Sequence, residues 1–177
     1  MYISIRNEVG APHLMMTKRK SMKIEFNKVF EFDLTNKVMF GDLTIDELIE
    51  VYRDGRQSAP VMELQLVHWF PELTYVDKKG YDHIDKNGNR YDHKSFTSSG
   101  LKFAPSAMIG AGRKIDKKIA KKHSMDTNYI CCDITNFPKV RVVFNTGYEL
   151  MTRFPIKSVT ERFHIPNTKN YKEELFS

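Results

Sequence analysis

Cysteine is scarce in this chain of 177 residues, and its placement argues against both a disulfide and a zinc site. The two cysteines, Cys131 and Cys132, are adjacent in an apolar run. Neighbouring residues of a strand point to opposite faces of a sheet, so we expect these thiols to stay unpaired in a reducing, intracellular setting. No Cys-x-x-Cys or His-Glu-x-x-His pattern occurs, so the usual zinc-ligand spacings are missing.

Long apolar segments and nucleotide-binding loops are also missing. No run approaches about 18 apolar residues, and the N-terminus lacks the apolar segment of a signal peptide. Gly110-Ala111-Gly112 belongs to neither a complete Walker pattern nor a complete Gly-x-Gly-x-x-Gly. We therefore expect a soluble protein of the cytoplasm, with no membrane partner and no nucleotide cofactor.

Acidic residues are fewer than basic ones, with 22 Asp and Glu against 28 Lys and Arg and a net charge of +6. A basic protein favours an anionic partner, and nucleic acid is the most common partner of this kind. The length and the 41% of hydrophobic residues suit one domain with its own core. Because the sequence shows no repeat or low-complexity segment, we expect a single domain over residues 1–177.

The most informative stretch is 80–97, GYDHIDKNGNRYDHKSFT, in which a turn separates two Tyr-Asp-His triplets. Asn87-Gly88 is a strong hairpin signal because both residues tolerate positive φ. We therefore predict two antiparallel strands joined at this turn. Side chains alternate along a strand, so Asp92 and Lys94 share one face and His93 takes the opposite one.

The length of the turn decides whether Asp82 joins that face. A two-residue loop would send it to the other side of the hairpin. A three-residue loop, Asn87-Gly88-Asn89, pairs Asp82 with Lys94. The same loop pairs Ile84 with Asp92, and loops of this kind with a bulge at Gly are common. We expect the longer loop, in which two carboxylates and an ammonium share a patch that can hold Mg²⁺ and position a water.

Two helices are predicted before the hairpin. Thr44-Ile45-Asp46-Glu47 is a capping box that opens the first helix. The second helix runs from about Val61 to Trp69, with Ser58 as its N-cap and Pro60 in its first turn. It carries Glu63, which either leans toward the metal site or is an ordinary solvated helix carboxylate.

A basic helix and two apolar strands are predicted after the hairpin. The helix runs from about Arg113 to His123, with six basic residues, one acid and an apolar stripe that includes Ile119 and Ala120. So many basic side chains on one helix favour contact with phosphates. The strands, 129–133 and 140–144, are apolar enough to be central. The predicted fold class is α/β in the broad sense (α+β), with a mixed central β-sheet flanked by helices.

This order of features, a helix with an acid, a charged hairpin, a basic helix and then buried strands, resembles the PD-(D/E)xK nucleases, the restriction-endonuclease-like family. The similarity covers roughly 58–145. The hallmark of the family maps here to Asp82, nine intervening residues and then Asp92-x-Lys94. Glu63 stands where many members carry a helix acid.

The resemblance implies a Mg²⁺-dependent DNA endonuclease, with Mn²⁺ as a substitute, in the cytoplasm of a bacterial or phage-infected cell. It is most like a small type II restriction enzyme that cuts both strands of a specific sequence as a homodimer. It implies that Asp82, Asp92 and the His93 carbonyl bind the metal. It also implies that Lys94 orients the attacking water and that Glu63 belongs to the catalytic set. Alternatives remain: a junction-resolving or phage DNA-degrading nuclease of the same fold, a non-catalytic basic DNA- or RNA-binding protein, or a purely structural hairpin.

The candidate DNA contacts are polar or basic side chains that could reach phosphates or base edges. They lie on the hairpin tip, in the segment after it and on the basic helix: Lys86, Asn87, Asn89, Arg90, Lys102, Ser106, Arg113, Lys114, Lys117, Lys118 and Lys121.

Overall fold

The protein is built on one mixed sheet, seen in a computed structural model that describes residues 22–35, 41–53, 55–78, 80–103, 116–154 and 164–177. The strands are β1 (Val29–Asp33), β2 (Leu73–Lys78), β3 (Tyr81–Asp85), β4 (Arg90–Phe96), β5 (Leu101–Lys102), β6 (Asn128–Asp133), β7 (Lys139–Thr146) and β8 (His164–Ile165). The helices are α1 (Ile45–Arg53), α2 (Gly55–Trp69), α3 (Lys117–Asp126), α4 (Gly147–Arg153) and α5 (Lys169–Leu175).

Six strands form the central sheet in the order β1-β7-β6-β4-β3-β2, and β5 pairs separately with β8. Neighbouring strands of the central sheet are antiparallel except for β4 and β6, which run parallel. A parallel pair needs a crossover, and the chain between these two strands includes α3. The predicted class, a mixed central sheet flanked by helices, is therefore confirmed, and so are the two central strands.

Each face of the sheet carries its own apolar core. On one face, Met62, Leu66 and Phe70 from α2 and its end pack with Phe144, whose ring lies 4.9 Å from that of Phe70. The core of the opposite face includes Phe96, Tyr129, Cys131, Val143, Leu150 and Leu175. Since α4 and α5 supply Leu150 and Leu175, helices cover both faces of the sheet.

The two cysteines follow the alternation predicted for a strand. Cys132 belongs to the core under α2, whereas Cys131 belongs to the core on the other face. Both are buried free thiols. The expectation that they do not pair is confirmed.

The first two helices agree with the sequence in part. Thr44 forms the predicted capping box, since its N–H donates to Glu47 Oε2 at 2.8 Å and its Oγ1 accepts from the Glu47 N–H at 3.3 Å. The second helix begins earlier than predicted, at Gly55, so Ser58 is not its cap and Pro60 lies inside it. Ser58 and Met62 are both buried one turn apart, which shows that packing of one helix stripe extends this helix toward its N-terminus.

The basic helix also differs from its predicted bounds. It begins at Lys117, where Asp116 is the N-cap and accepts from the N–H groups of Lys118 and Ile119, and it continues to Asp126. Residues 113–115 lie outside the described ranges. Ala120 is buried as predicted, but Ile119 is 57% exposed, so its assignment to the buried stripe was wrong.

The phase of α3 follows from a close contact with α4. Ser124 is fully buried, and a Cβ added to Gly147 would lie 1.6 Å from the Ser124 carbonyl oxygen. Gly147 also donates its N–H to the Thr127 carbonyl at 2.8 Å. The face of α3 with Ala120 and Ser124 therefore packs inward, and Ile119 is turned outward.

Among the helices of the described ranges, not one is both long and apolar enough to cross a bilayer. The elements after Asn145, which are α4, β8 and α5, had no prediction from the sequence.

Gly147→Ala tests the α3–α4 contact. The added methyl would meet backbone atoms that cannot rotate away, so we expect the free energy of unfolding to fall by about 1–3 kcal/mol or more. Denaturant unfolding measures this. The control is Tyr148→Ala, because the neighbouring Tyr148 is exposed and its truncation should change the free energy by less than about 0.5 kcal/mol. Equal stability of the two variants would contradict the close packing.

Candidate active site

The turn between β3 and β4 is a three-residue loop, Lys86-Asn87-Gly88. The Gly88 N–H donates to the Asp85 carbonyl at 3.0 Å, and the Asp85 N–H donates to the Asn89 carbonyl at 3.0 Å. Gly88 has a φ of 84°, which a residue with a side chain rarely adopts. An odd-length loop with a left-handed Gly was predicted, but its residues are 86–88 and not 87–89.

Asp85 explains the shift of the loop by one residue. Its carboxylate accepts from the backbone N–H groups of Asn87 at 2.8 Å and Asn89 at 2.9 Å, and from the Tyr91 hydroxyl at 3.1 Å. Burial opposes ionisation, but these hydrogen bonds prevail and lower the pKa of Asp85. Asp at the first position of a type I turn and Gly at the fourth are the usual residues there, and Asp85 and Gly88 have this spacing. The signal was present in the sequence.

The loop sets the register of the hairpin. His83 is paired with Tyr91 and Ile84 with Arg90, so the next pair along brings Asp82 opposite Asp92. The predicted pairing of Asp82 with Lys94 and of Ile84 with Asp92 is therefore wrong by one loop position. Because both loops have an odd number of residues, the faces of the side chains are unchanged.

Asp82, Asp92 and Lys94 meet on one face of the hairpin. The Lys94 ammonium lies 2.7 Å from Asp92 Oδ1. Asp82 Oδ2 accepts the backbone N–H of His93 at 2.8 Å, so its carboxylate reaches across from β3 to β4. The three groups that the sequence singled out are therefore neighbours in the fold.

Asp92 is an unusual carboxylate because it is only 7% exposed. Burial raises the pKa of Asp92 to about 7, although the Lys94 ammonium acts in the opposite direction, and the nearby Asp82 carboxylate raises it further. A titratable group poised near neutral pH next to a cation is typical of functional sites.

The side chains next to this group on β6 are neutral and buried. Lys94 and Asp92 are paired in register with Cys131 and Tyr129 of β6, and both of these side chains are buried. Burial raises the pKa of the Cys131 thiol and of the Tyr129 hydroxyl, so both stay neutral. Charges beside such side chains are poorly solvated and act on each other and on a ligand more strongly than in water.

Glu63 and the two histidines lie on the other face of the sheet. Glu63 Oε1 is 3.6 Å from His93 Nδ1, and the Glu63 carbonyl accepts from His83 Nε2 at 2.8 Å. Burial lowers the pKa of His83 despite this hydrogen bond. The structure therefore does not bring Glu63, or the ring of His93, to Asp92 and Lys94.

The backbone of His93 is placed differently from its ring. Its N–H points toward β3, where Asp82 accepts it. The N–H and C=O of one strand residue point to the same side, so the His93 carbonyl also faces the gap between the two strands. This is the carbonyl that the resemblance assigns to the metal.

Side chains alone give this site few metal ligands. Within the described ranges, no group of three or more His, Cys, Asp or Glu side chains is arranged to hold a metal ion. Two carboxylates share the site, and Mg²⁺ is usually bound by one or two carboxylates together with waters and substrate phosphates. The donors present therefore suit a Mg²⁺ ion that a substrate helps to hold.

A cleft of about 650 Å³ lies beside the β3–β4 hairpin, and Tyr81 and Arg90 of its lining are close to Asp82 and Asp92 along the chain. It is bounded by the start of β3, the β3–β4 turn, α3 and the start of β6. Its lining includes Gly80, Tyr81, Asn89, Arg90, Ile119, Lys122, His123, Asp126 and Asn128. We call this space the α3 cleft. Burial lowers the pKa of His123, and the charge of Lys94 lowers it further, so this histidine is close enough to Lys94 to be affected by its charge.

The predicted DNA contacts fall into three groups. Asn89 and Arg90 line the α3 cleft. Other exposed positions lie at the hairpin tip (Lys86, Asn87), on β5 (Lys102) and on α3 (Lys118, Lys121). Lys117 begins α3, and Ser106, Arg113 and Lys114 lie outside the described residues. The sequence did not single out His123 or Asn128, because only packing of α3 brings them to the hairpin.

The ionisation of Asp92 is testable by NMR of its side-chain carboxyl carbon. We expect a midpoint near pH 7, a higher midpoint in Lys94→Met because a favourable cation is lost, and a lower one in Asp82→Asn because a like charge is lost. Asp46→Asn, at an exposed position on α1, is the control and should shift it little. A midpoint near 3.8 that neither variant moves would contradict the site.

The same shift predicts how stability depends on pH. The folded protein keeps the Asp92 proton up to about pH 7, whereas the unfolded chain loses it near 3.8, so the free energy of unfolding should fall as pH rises through this interval. Denaturant unfolding at several pH values measures the slope. Asp92→Asn, which has no proton to lose, should show a smaller fall than the unchanged protein, and identical slopes would count against the prediction.

Comparison with known proteins adds no evidence about function, so a functional proposal has to rest on the geometry of the site. No protein-family model matches the chain, and no curated protein sequence matches it significantly.

Proposed function

We propose that this protein is a Mg²⁺-dependent nuclease that hydrolyses phosphodiester bonds of DNA. The observation that carries the proposal is the convergence of Asp82, Asp92 and Lys94 on one face of the β3–β4 hairpin, with Lys94 2.7 Å from Asp92. Paired carboxylates and an ammonium are the groups needed to bind a cation, hold a phosphate and stabilise charge on it.

The order of elements supports the same proposal. α2 comes before three antiparallel strands, β2, β3 and β4, and α3 then leads to β6, which lies parallel to β4. An acid-bearing helix, a charged hairpin, a basic helix and buried strands are the features on which the resemblance to PD-(D/E)xK nucleases rests. A restriction-endonuclease-like core is part of this proposal.

The two carboxylates fit a magnesium ion. Carboxylate oxygens are preferred ligands of Mg²⁺, and the raised pKa of Asp92 reflects a negative charge that burial leaves poorly solvated. Asp82, Asp92 and the His93 carbonyl would hold the ion, and Mn²⁺ would serve in its place. The chemistry that the ion supplies when bound is polarisation of the phosphate.

Lys94 would bind and stabilise the phosphate that is attacked. Its ammonium has three N–H donors and uses one of them on Asp92, so it can also donate to a phosphate oxygen or to a water beside it. Its charge opposes the negative charge that grows on the phosphate as the new bond forms. Glu63 has no part in this mechanism, because it lies on the opposite face of the sheet.

Cleavage of both strands at a specific sequence is the form of the activity that we propose. One small domain with one site cuts two strands when two copies act together, and a twofold homodimer is the usual arrangement. A discrete set of bands from a plasmid would support restriction-type cutting. A smear would support nonspecific degradation, and cleavage of branched DNA alone would support junction resolution.

The proposal is tested with purified protein, plasmid DNA and Mg²⁺. We expect cleavage that EDTA abolishes, and a loss of rate of about 10²-fold or more in both Asp92→Asn and Lys94→Met, because each removes a charge that acts on the phosphate. DNA binding by Lys94→Met, measured in EDTA, should change far less than its cleavage rate.

Asp46→Asn is the matched control for Asp92→Asn, because Asp46 is an exposed carboxylate on α1, far from the hairpin in the chain. It should cleave at the rate of the unchanged protein. The nuclease proposal fails if DNA stays intact with both Mg²⁺ and Mn²⁺, or if Asp92→Asn cleaves as fast as Asp46→Asn. Binding without cleavage would favour a basic nucleic-acid-binding protein.

A further inference from the structure

We propose that the α3 cleft binds one unstacked nucleotide of a nucleic-acid strand, beside the bond that is cut. A single strand offers such a nucleotide directly, and a duplex has to release it from the base stack. The position beside the cut bond rests on the proposed nuclease function, whereas the binding can be measured without cleavage.

The size and shape of the cleft suit a small ligand. Its volume of about 650 Å³ falls within the usual range of sites for small molecules and cofactors. It is concave and bounded on two sides, by the hairpin and by α3. A paired duplex presents a convex surface, so a nucleotide that enters the cleft has to leave its neighbours.

Basic side chains approach the cleft from both sides. Arg90 extends from the start of β4, and Lys122 extends from α3. The Arg90 guanidinium lies 5.0 Å from the centre of the Tyr81 ring, which holds it at the rim by a cation–π contact. Arg90 and Lys122 face one acid of the lining, Asp126, so this part of the cleft favours a phosphate.

The remaining lining suits a base. Ile119 is 57% exposed and, with the ring of Tyr81, supplies an apolar surface of the kind on which unstacked bases rest. Asn89 and Asn128 provide amides, which can donate to and accept from base edges. Asn89 is held in place by Asp85, which accepts its backbone N–H at 2.9 Å and its side-chain amide at 2.8 Å.

His123 adds an acceptor. The Thr127 hydroxyl donates to the His123 carbonyl at 2.7 Å, so its oxygen is left to accept the N–H of His123 Nδ1 at 3.4 Å. With the proton on Nδ1, Nε2 of the neutral ring is an acceptor. Nε2 lies close to Gly80, where an added Cβ would stand only 3.3 Å from it, so the absence of a side chain at Gly80 leaves this nitrogen open to accept from a base or a sugar hydroxyl.

The cleft adjoins the proposed catalytic groups along the chain and in space. Tyr81 directly precedes Asp82, and Arg90 lies two residues before Asp92 on the same strand. His123 is close enough to Lys94 for the lysine charge to affect its ionisation. A nucleotide in the cleft would therefore place its phosphate link at the two carboxylates.

Binding is measured by fluorescence anisotropy in EDTA, which prevents metal-dependent cleavage. The probes are a short labelled single-stranded DNA and the same strand in a fully paired duplex. We expect the single strand to bind at least about tenfold more tightly, because the duplex has to spend free energy on unstacking. Arg90→Ala and Lys122→Ala should each weaken single-strand binding and lower the slope of log affinity against log salt by about 0.7.

Two further variants distinguish binding in the cleft from general attraction of DNA to a basic surface. Ile119→Ser should weaken single-strand binding several-fold with an unchanged salt slope, because it removes apolar contact and no charge. Lys139→Ala removes an exposed lysine from the start of β7, at the opposite end of β6 from the cleft, and should bind like the unchanged protein. Circular dichroism confirms that each variant is folded.

The inference is overturned if the paired duplex binds as tightly as the single strand, or if Arg90→Ala and Lys122→Ala bind no more weakly than Lys139→Ala. It stands, and the nuclease proposal alone fails, if the cleft variants lose binding while the unchanged protein cleaves no DNA with Mg²⁺. If the unchanged protein cleaves DNA and the cleft variants bind it normally, the nuclease proposal stands and the inference about the cleft fails.

Discussion

The hydrogen bonds of Asp85 are the constraint on which the candidate site depends. This one carboxylate accepts two backbone N–H groups of the turn, at Asn87 and Asn89, and thereby selects a loop of three residues. The loop sets the register in which Asp82 stands opposite Asp92. An even-numbered loop would send Asp82 to the other face, since side chains alternate along a strand. The hydrogen bonds of Asp85 at the turn thus determine which side chains meet at the candidate site several residues away.

Burial strengthens the electrostatic interactions of Asp92 and Lys94. The neutral, buried side chains of Tyr129 and Cys131 lie beside Asp92 and Lys94 on the neighbouring strand, so the charges of the site border an apolar surface on that side. Desolvation alone would keep Asp92 protonated, and the ammonium 2.7 Å away only partly compensates. A buried pair of this kind contributes little to stability compared with well-packed apolar residues, which suggests that its value is functional.

The two faces of the sheet divide the conspicuous residues into separate groups. Glu63 belongs to α2 and contacts His83 and His93 on the face of the sheet that this helix covers, whereas the candidate catalytic residues lie on the opposite face. The contact of Ser124 with Gly147 turns α3 so that Ile119 and His123 reach the cleft beside the hairpin. The same helix that the sequence marks as basic therefore contributes an apolar side chain, an imidazole and a lysine to one concave surface.

The sequence by itself determined α1, the charged hairpin and the presence of α2 and α3, together with the shared face of Asp82, Asp92 and Lys94, because capping, turn chemistry and the two-residue period of a strand are local properties. It also indicated the mixed sheet and its central strands through apolar runs. The pairing of Asp82 with Asp92 also follows from a local signal, the spacing of Asp85 and Gly88 in the turn. Only the tertiary structure decided the start of α2, the face that receives Glu63 and the rotation of α3 about its axis. These depend on which side chains fit against a neighbouring element, and that fit is not encoded in the spacing of residues along one segment.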